Sequence, residues 1–148
     1  MDRLINNESV VVCSVLDAIN LDVNELPKLY VFAVLTADNA IRGRLRGYSQ
    51  YDELCRKESS YYRALNRKFL EFQPVFLNAM TMLLLGGKIE KSNDGKYELT
   101  KDGVLMLWDV KDDEESVVTE VRDAVKHLNR LVEKKDVKQL YKDLKIVL

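Results

Sequence analysis

The chain has 148 residues, 47% of them hydrophobic, with a net charge of −1. That length supplies the core of one ordinary domain rather than two, and no stretch approaches the roughly 20 apolar residues that cross a bilayer. The start Met1-Asp2-Arg3-Leu4 has no basic segment leading into an apolar run, so no secretion signal is expected and a cytoplasmic protein is predicted.

Charge is segregated along the chain. Residues 39–101 carry twelve basic against seven acidic residues, residues 102–124 two against eight, and the last 24 residues seven against three. Such blocks steer nucleic acid or acidic protein surfaces, or they are simply solvated helix faces. Cys13 and Cys55 lack the CxxC or Cys/His spacing of a zinc site, and unpaired thiols suit a reducing compartment. No metal and no cofactor is expected.

The first apolar segment, Val10 to Ile19, follows Asn6 and Asn7, which can cap helix amides. A helix is predicted, although the β-branched run Val10-Val11-Val12 also suits a strand. A second helix should start near Asn24 to Pro27, run through Leu29, Tyr30, Val34 and Leu35, and end at Gly43 and Gly47. Around those glycines lies the basic joint Arg42-Gly-Arg44-Leu-Arg46. Ser49 with Asp52 then resembles a capping pair opening a short helix through Cys55.

From Ser59, the residues Tyr61, Tyr62, Leu65, Phe69 and Phe72 recur at helical spacing as an aromatic stripe. Core packing is its first reading, and stacking on bases its alternative. Pro74 either kinks this helix or starts a new one carrying Phe76, Ala79, Met80 and Leu83 up to Gly86-Gly87. The dense apolar run Met80 to Leu85 predicts burial on most sides, making this the central core helix. Lys88 to Lys91 and Lys96 to Leu99 alternate around Ser92-Asn93-Asp94-Gly95, which predicts a β-hairpin with Ile89, Tyr97 and Leu99 facing inward. Thr100 caps a helix from Lys101 to Trp108. Asp112 to Glu115 lead into an amphipathic helix through Val132, their carboxylates suiting a helix N-terminus better than a metal. A short helix from Val137 to Leu144 precedes the apolar end Ile146-Val147-Leu148, which should be docked.

The expected fold is therefore mainly α with one small β-hairpin. Residues 1–148 form a single domain, with a winged-helix-like unit at 60–108 and a C-terminal helical extension at 114–148 packed on it. Catalysis is not expected. The only histidine, His127, sits among Lys126, Asn129 and Arg130 on an amphipathic helix, and no GxxxxGK[ST] phosphate loop is present. Glu133-Lys134-Lys135 matches a nuclease ExK fragment, but at a helix end instead of on a core strand. Candidate contacts to DNA or to an acidic partner are Arg42, Arg44 and Arg46 in the joint and Lys88, Lys91 and Lys96 on the hairpin. A stand-alone winged-helix regulator is the alternative, though Gln73, Asn78 and Thr81 would be its only polar readers on the recognition helix.

The order of these features resembles the small middle component of bacterial three-component ABC systems, the group that includes Lamassu antiphage defence. Leu26-Pro27-Lys28-Leu29 with the run through Leu35, the basic Arg42 to Arg46, and Tyr62-Arg63-Ala64-Leu65-Asn66-Arg67-Lys68-Phe69 carry the resemblance. Pro74 to Leu99, Ala124 to Leu131 and Val137 to Leu148 extend it over nearly the whole chain. The closing helix departs from that pattern in lacking glycine and aromatic residues near Leu128 to Val132, and the chain is short. The resemblance implies a non-catalytic subunit that associates with an SMC-like ATPase and an effector nuclease. The complex would sense foreign or aberrant DNA ends, and the small subunit would help couple the ATPase to restraint or release of the effector.

Overall fold

The computed structural model describes residues 7–18, 25–55, 57–109, 112–133 and 135–147. Asn6, Ile19, Asn24, Lys134 and Leu148, which entered the expectations above, lie outside the described residues, as do the side chains of Asp112 to Glu115. In chain order the elements are α1 (Asn7–Ala18), α2 (Leu26–Ala37), α3 (Asn39–Leu45), α4 (Tyr51–Cys55), α5 (Ser59–Leu85), β1 (Ile89–Lys91), β2 (Tyr97–Leu99), α6 (Lys101–Trp108), α7 (Asp112–Val132) and α8 (Val137–Asp143). The chain is mainly helical with one small hairpin among the described residues. No described helix is long and apolar enough to cross a membrane.

The centre of the molecule is α2. Every residue from Lys28 to Thr36 is buried, because α1, α5 and α7 surround it. Pro27 in its first turn gives up only an amide that would have lacked a helical partner. The β-branched start of α1 is helical, since Val10 to Leu16 are buried against α2, α5 and α7 and packing overrides propensity. Two buried hydroxyls stay satisfied by bonding back one turn: Ser14 Oγ donates to the Val10 carbonyl and Thr36 Oγ1 to the Phe32 carbonyl, each at 2.7 Å.

Asp38 ends α2 five residues before Gly43, the first of the predicted glycine stops. It sits in extended backbone and accepts the Ile41 amide at 3.0 Å, which caps α3, while its other oxygen takes the Lys68 ammonium from α5 at 2.6 Å. Gly43 then lies inside α3 with open space around it. Burial pushes the Asp38 carboxyl up, but the Lys68 hydrogen bond, the Ile41 amide and the Lys68 charge outweigh it, and its pKa falls below the ordinary value. Replacing Asp38 with Ala should therefore cost about 1–2 kcal/mol of stability. A carboxyl whose pKa is depressed by folding stabilises above its unfolded pKa of about 4 and loses that effect as pH falls through the folded value. Denaturant melts of wild type and D38A should differ at neutral pH and converge in acid; a gap that persists at about pH 2 would refute the cap.

At the start of α4, Glu53 reaches back, taking the Ser49 amide and hydroxyl at 2.9 Å each and the Gln50 amide at 3.1 Å. Those bonds, the Ser49 amide first, hold the Glu53 carboxyl below its usual range.

The aromatic stripe of α5 is core. Tyr30 of α2 meets Phe69 edge-on at 5.5 Å and Phe76 at 4.9 Å between ring centroids, and its hydroxyl donates to the Phe69 carbonyl. Pro74 lies within this single helix, so no turn separates a scaffold helix from a recognition helix before the hairpin. The helix–turn–helix of a winged-helix unit is thus not formed within 60–108. The expected all-round burial of Met80 to Leu85 is also corrected. Met80 and Leu83 are buried, whereas Met82 is 50% exposed, Leu84 38% and Leu85 84%.

The hairpin pairs Ile89 with Leu99 and Lys91 with Tyr97, and Ile89 and Tyr97 face the core. Thr100 caps α6 by accepting the Gly103 amide at 3.1 Å. The acidic run at Asp112 begins α7 as part of the helix, and Val121, Ala124, Val125 and Leu128 are its buried stripe. The principal neighbours of α7 are α1, α2 and α3, while the turn after α8 meets α5, where the Val147 amide donates to Asn66 Oδ1 at 2.7 Å. Leu144 and Ile146 are buried after α8, which docks the apolar end as expected, although Val147 is exposed.

Candidate functional site

The three arginines of the joint have different fates. Arg42 is 6% exposed, and its guanidinium donates to the carbonyls of Thr36 at 2.7 Å and Ala37 at 3.3 Å, to Asn39 Oδ1, and to Glu120 of α7 at 3.2 Å. It satisfies carbonyls that the end of α2 leaves without helical donors, so it is committed to the fold. Arg44 and Arg46 are exposed, with the Arg44 guanidinium 5.9 Å from the Tyr61 ring centroid.

On the hairpin, Lys91 is exposed with its ammonium 5.7 Å from the Tyr97 ring, while Lys88 and Lys96 are half-buried. Lys96 also bridges to Glu25 through the backbone. The hairpin rests on α1, α5 and α6, and α3 on α2 and α7. The two predicted sets of cations therefore stand on different supports and do not form one patch.

Neither sequence candidate for catalysis is assembled. His127 Nε2 lies 2.5 Å from the Tyr48 carbonyl oxygen and its Nδ1 is 3.4 Å from Arg130, so both ring nitrogens are engaged. Glu133 is in the turn after α7, and the Lys135 ammonium stands 4.8 Å over the Tyr51 ring. Among the described residues no three His, Cys, Asp or Glu side chains come together in a way that could hold a metal. Cys13 is buried, and that burial pushes its thiol up to about 12, away from thiolate chemistry.

Two surfaces stand out instead. The first is the outer face of α5. From Phe72 to Leu85 the helix contains no charged residue, although only one of its faces is buried. Leu70 and Leu77 are 47% and 45% exposed, and with Leu84 they recur every second turn as one stripe, with Leu85 beside it. Isolated apolar side chains on a surface are ordinary, but an aligned row of them is a mark of interaction.

The second surface flanks the N-terminal half of α5. One groove of about 580 Å³ lies between α3 and α5, bordered by Arg44, Lys57, Glu58, Tyr61 and the Asp38–Lys68 pair. Another of about 380 Å³ is lined by Lys57, Ser59, Tyr62, Arg63, Asn66 and Lys145. Sequence reading missed Lys57, Arg63 and Lys145, because only tertiary packing gathers them. The charge-free run from Phe72 was a signal that could have revealed the outer face of α5.

No family model matches the chain, and no curated protein or solved structure matches it.

Proposed function

We propose that the chain is a non-catalytic accessory subunit of a Lamassu-type antiphage assembly, docking on an SMC-like ATPase and coupling it to an effector nuclease, with DNA contact as part of that role. The observation that carries this reading is the uncovered apolar stripe Leu70, Leu77, Leu84 on a helix whose opposite face is core. A protein acting alone gains nothing from leaving that row in water, whereas an obligate subunit buries it on assembly at about 25 cal/mol per Å². Exposed Arg63 and Arg67 precede the stripe and Lys88 and Lys91 follow it, which favours a partner helix with an apolar face and acidic ends.

Affinity capture from cells that make the protein naturally, read by mass spectrometry, tests this. Wild type should bring down an SMC-like ATPase and a nuclease. The double variant Leu70→Glu/Leu77→Glu should bring down neither, while melting within a few degrees of wild type because both side chains are solvated. Wild type recovered alone, or full capture by the double variant, would overturn the reading.

A further inference from the structure

We infer that the groove between the N-terminal half of α5 and the turn after α8 binds the phosphate backbone of a nucleic acid, which continues past Lys57 into the larger groove beneath Arg44. This rests on the reading of a subunit that meets DNA, and it assigns where that contact is made.

Three cations from three separate parts of the chain line the smaller groove: Lys57 from the loop before α5, Arg63 from α5 itself, and Lys145 from the turn after α8. No carboxylate borders it. None of the three has an ion-pair partner among the described residues, in contrast to Arg42, Lys68 and Arg122, which are paired with Glu120, Asp38 and Asp17. Glu53 is near enough to Lys57 to feel its charge, but three like charges gathered at one groove still repel one another, and a bound polyanion would relieve that repulsion.

The backbone of Lys145 adds to this. It is the one described non-glycine residue with positive φ, at 56°. Its amide donates to the Lys142 carbonyl at 3.1 Å and the next amide, Ile146, to Tyr141 at 2.9 Å, closing α8 in the manner that favours glycine at this position. A lysine here costs conformational free energy that glycine would not, and strain of this kind gathers at functional sites. Its ammonium stands 5.0 Å over the Tyr62 ring, at the groove. Asn66 accepts the Val147 amide through Oδ1 at 2.7 Å, which leaves its NH₂ free to donate, and the exposed Ser59 offers a hydroxyl.

The arrangement favours an extended ligand over a compact one. Lys57 borders both grooves, and its ammonium lies 4.4 Å from the Tyr48 ring and 5.6 Å from Tyr61, the ring that Arg44 also covers. The cations thus run from Lys145 and Arg63 in the smaller groove through the shared Lys57 to Arg44 in the larger, with tyrosine rings beneath Lys145, Lys57 and Arg44. Glu58 and the Lys68-paired Asp38 are the acids of the larger groove. Cations in series over aromatic rings suit phosphodiesters and stacked bases.

Anisotropy titrations of the full chain with a labelled oligonucleotide of about twenty nucleotides, single-stranded and as a duplex, over a range of salt, test the assignment. Arg63→Ala and Lys145→Gly should each weaken binding on the order of threefold to tenfold and flatten the slope of log affinity against log salt by about 0.7–0.9, one phosphate each. Stronger binding to one of the two forms identifies which supplies the backbone. Because glycine suits the backbone at position 145, that variant should melt no lower than wild type, so its lost affinity is not lost folding. Lys91→Ala on the hairpin should leave affinity unchanged. Unchanged affinity and slope in Arg63→Ala and Lys145→Gly, or no oligonucleotide binding by wild type, would overturn the site. Inorganic phosphate bound without oligonucleotide would overturn the nucleic-acid assignment too. Partner capture by Lys145→Gly should remain intact, which keeps failure of this site distinct from failure of the docking face.

Discussion

Replacing Gly103 with alanine should destabilise the protein by about 3 kcal/mol or more, read as a fall in the urea midpoint at unchanged slope. Inside a helix the same exchange usually stabilises by roughly 0.5–1 kcal/mol, so even its sign is diagnostic. A Cβ at this position would lie 2.1 Å from the Lys88 carbonyl oxygen, 2.9 Å from Leu99 Cδ2 and 3.1 Å from the Lys88 carbonyl carbon. Those Lys88 atoms are backbone and cannot swing aside. Thr100 fastens them further, its amide bonding to the Lys88 oxygen at 3.0 Å and its hydroxyl to the Gly87 oxygen at 2.5 Å. The start of α6 is thereby clamped to the chain leaving α5, and relief of the clash requires breaking the clamp. A Gly103→Ala variant as stable as wild type would show that α6 does not approach so closely.

The second large effect is expected at Arg42. Its removal strands the Thr36 and Ala37 carbonyls at the end of α2 and leaves Glu120 without its cation, so Arg42→Ala should cost about 2–4 kcal/mol. Lysine should rescue only part of this, since a single ammonium cannot span the Thr36 carbonyl, Asn39 and Glu120 as a planar fork does. Arg44→Ala, two residues on, should change stability by no more than about 0.5 kcal/mol. Thermal melts of the three variants side by side decide it, and equal losses for Arg42→Ala and Arg44→Ala would contradict the division of roles.

That pair of arginines illustrates what was legible in the sequence and what was not. Two residues apart on a helix, they face different surroundings, and only the packing of α3 on α2 and α7 decides which is enclosed. Local chemistry was readable where it was self-contained. The hairpin turn, the Thr100 cap and the stripe of α7 follow from residues close together in the chain. The break at Asp38 was hidden because an aspartate that caps a new helix looks like any polar residue between apolar ones, while Gly43 looked like a stop. The burial of Met80 to Leu85 was misread because composition records apolarity but not whether anything covers it. The basic groove could not have been read at all. Lys145 lies far in sequence from Lys57 and Arg63, and α8 brings it to α5 only by docking.

Pro74 gives the outer face of α5 an address. Having no N–H, it deprives the Leu70 carbonyl of the donor that an uninterrupted helix would supply. A partner helix laid along Leu70, Leu77 and Leu84 meets nearly repeating apolar side chains, and a shift of two turns would change little of that contact. Under the proposed docking, that one acceptor, which has no counterpart at Leu77 or Leu84, would be matched by one donor on the partner and so set the register of the two helices, much as a lone polar residue does in a coiled coil.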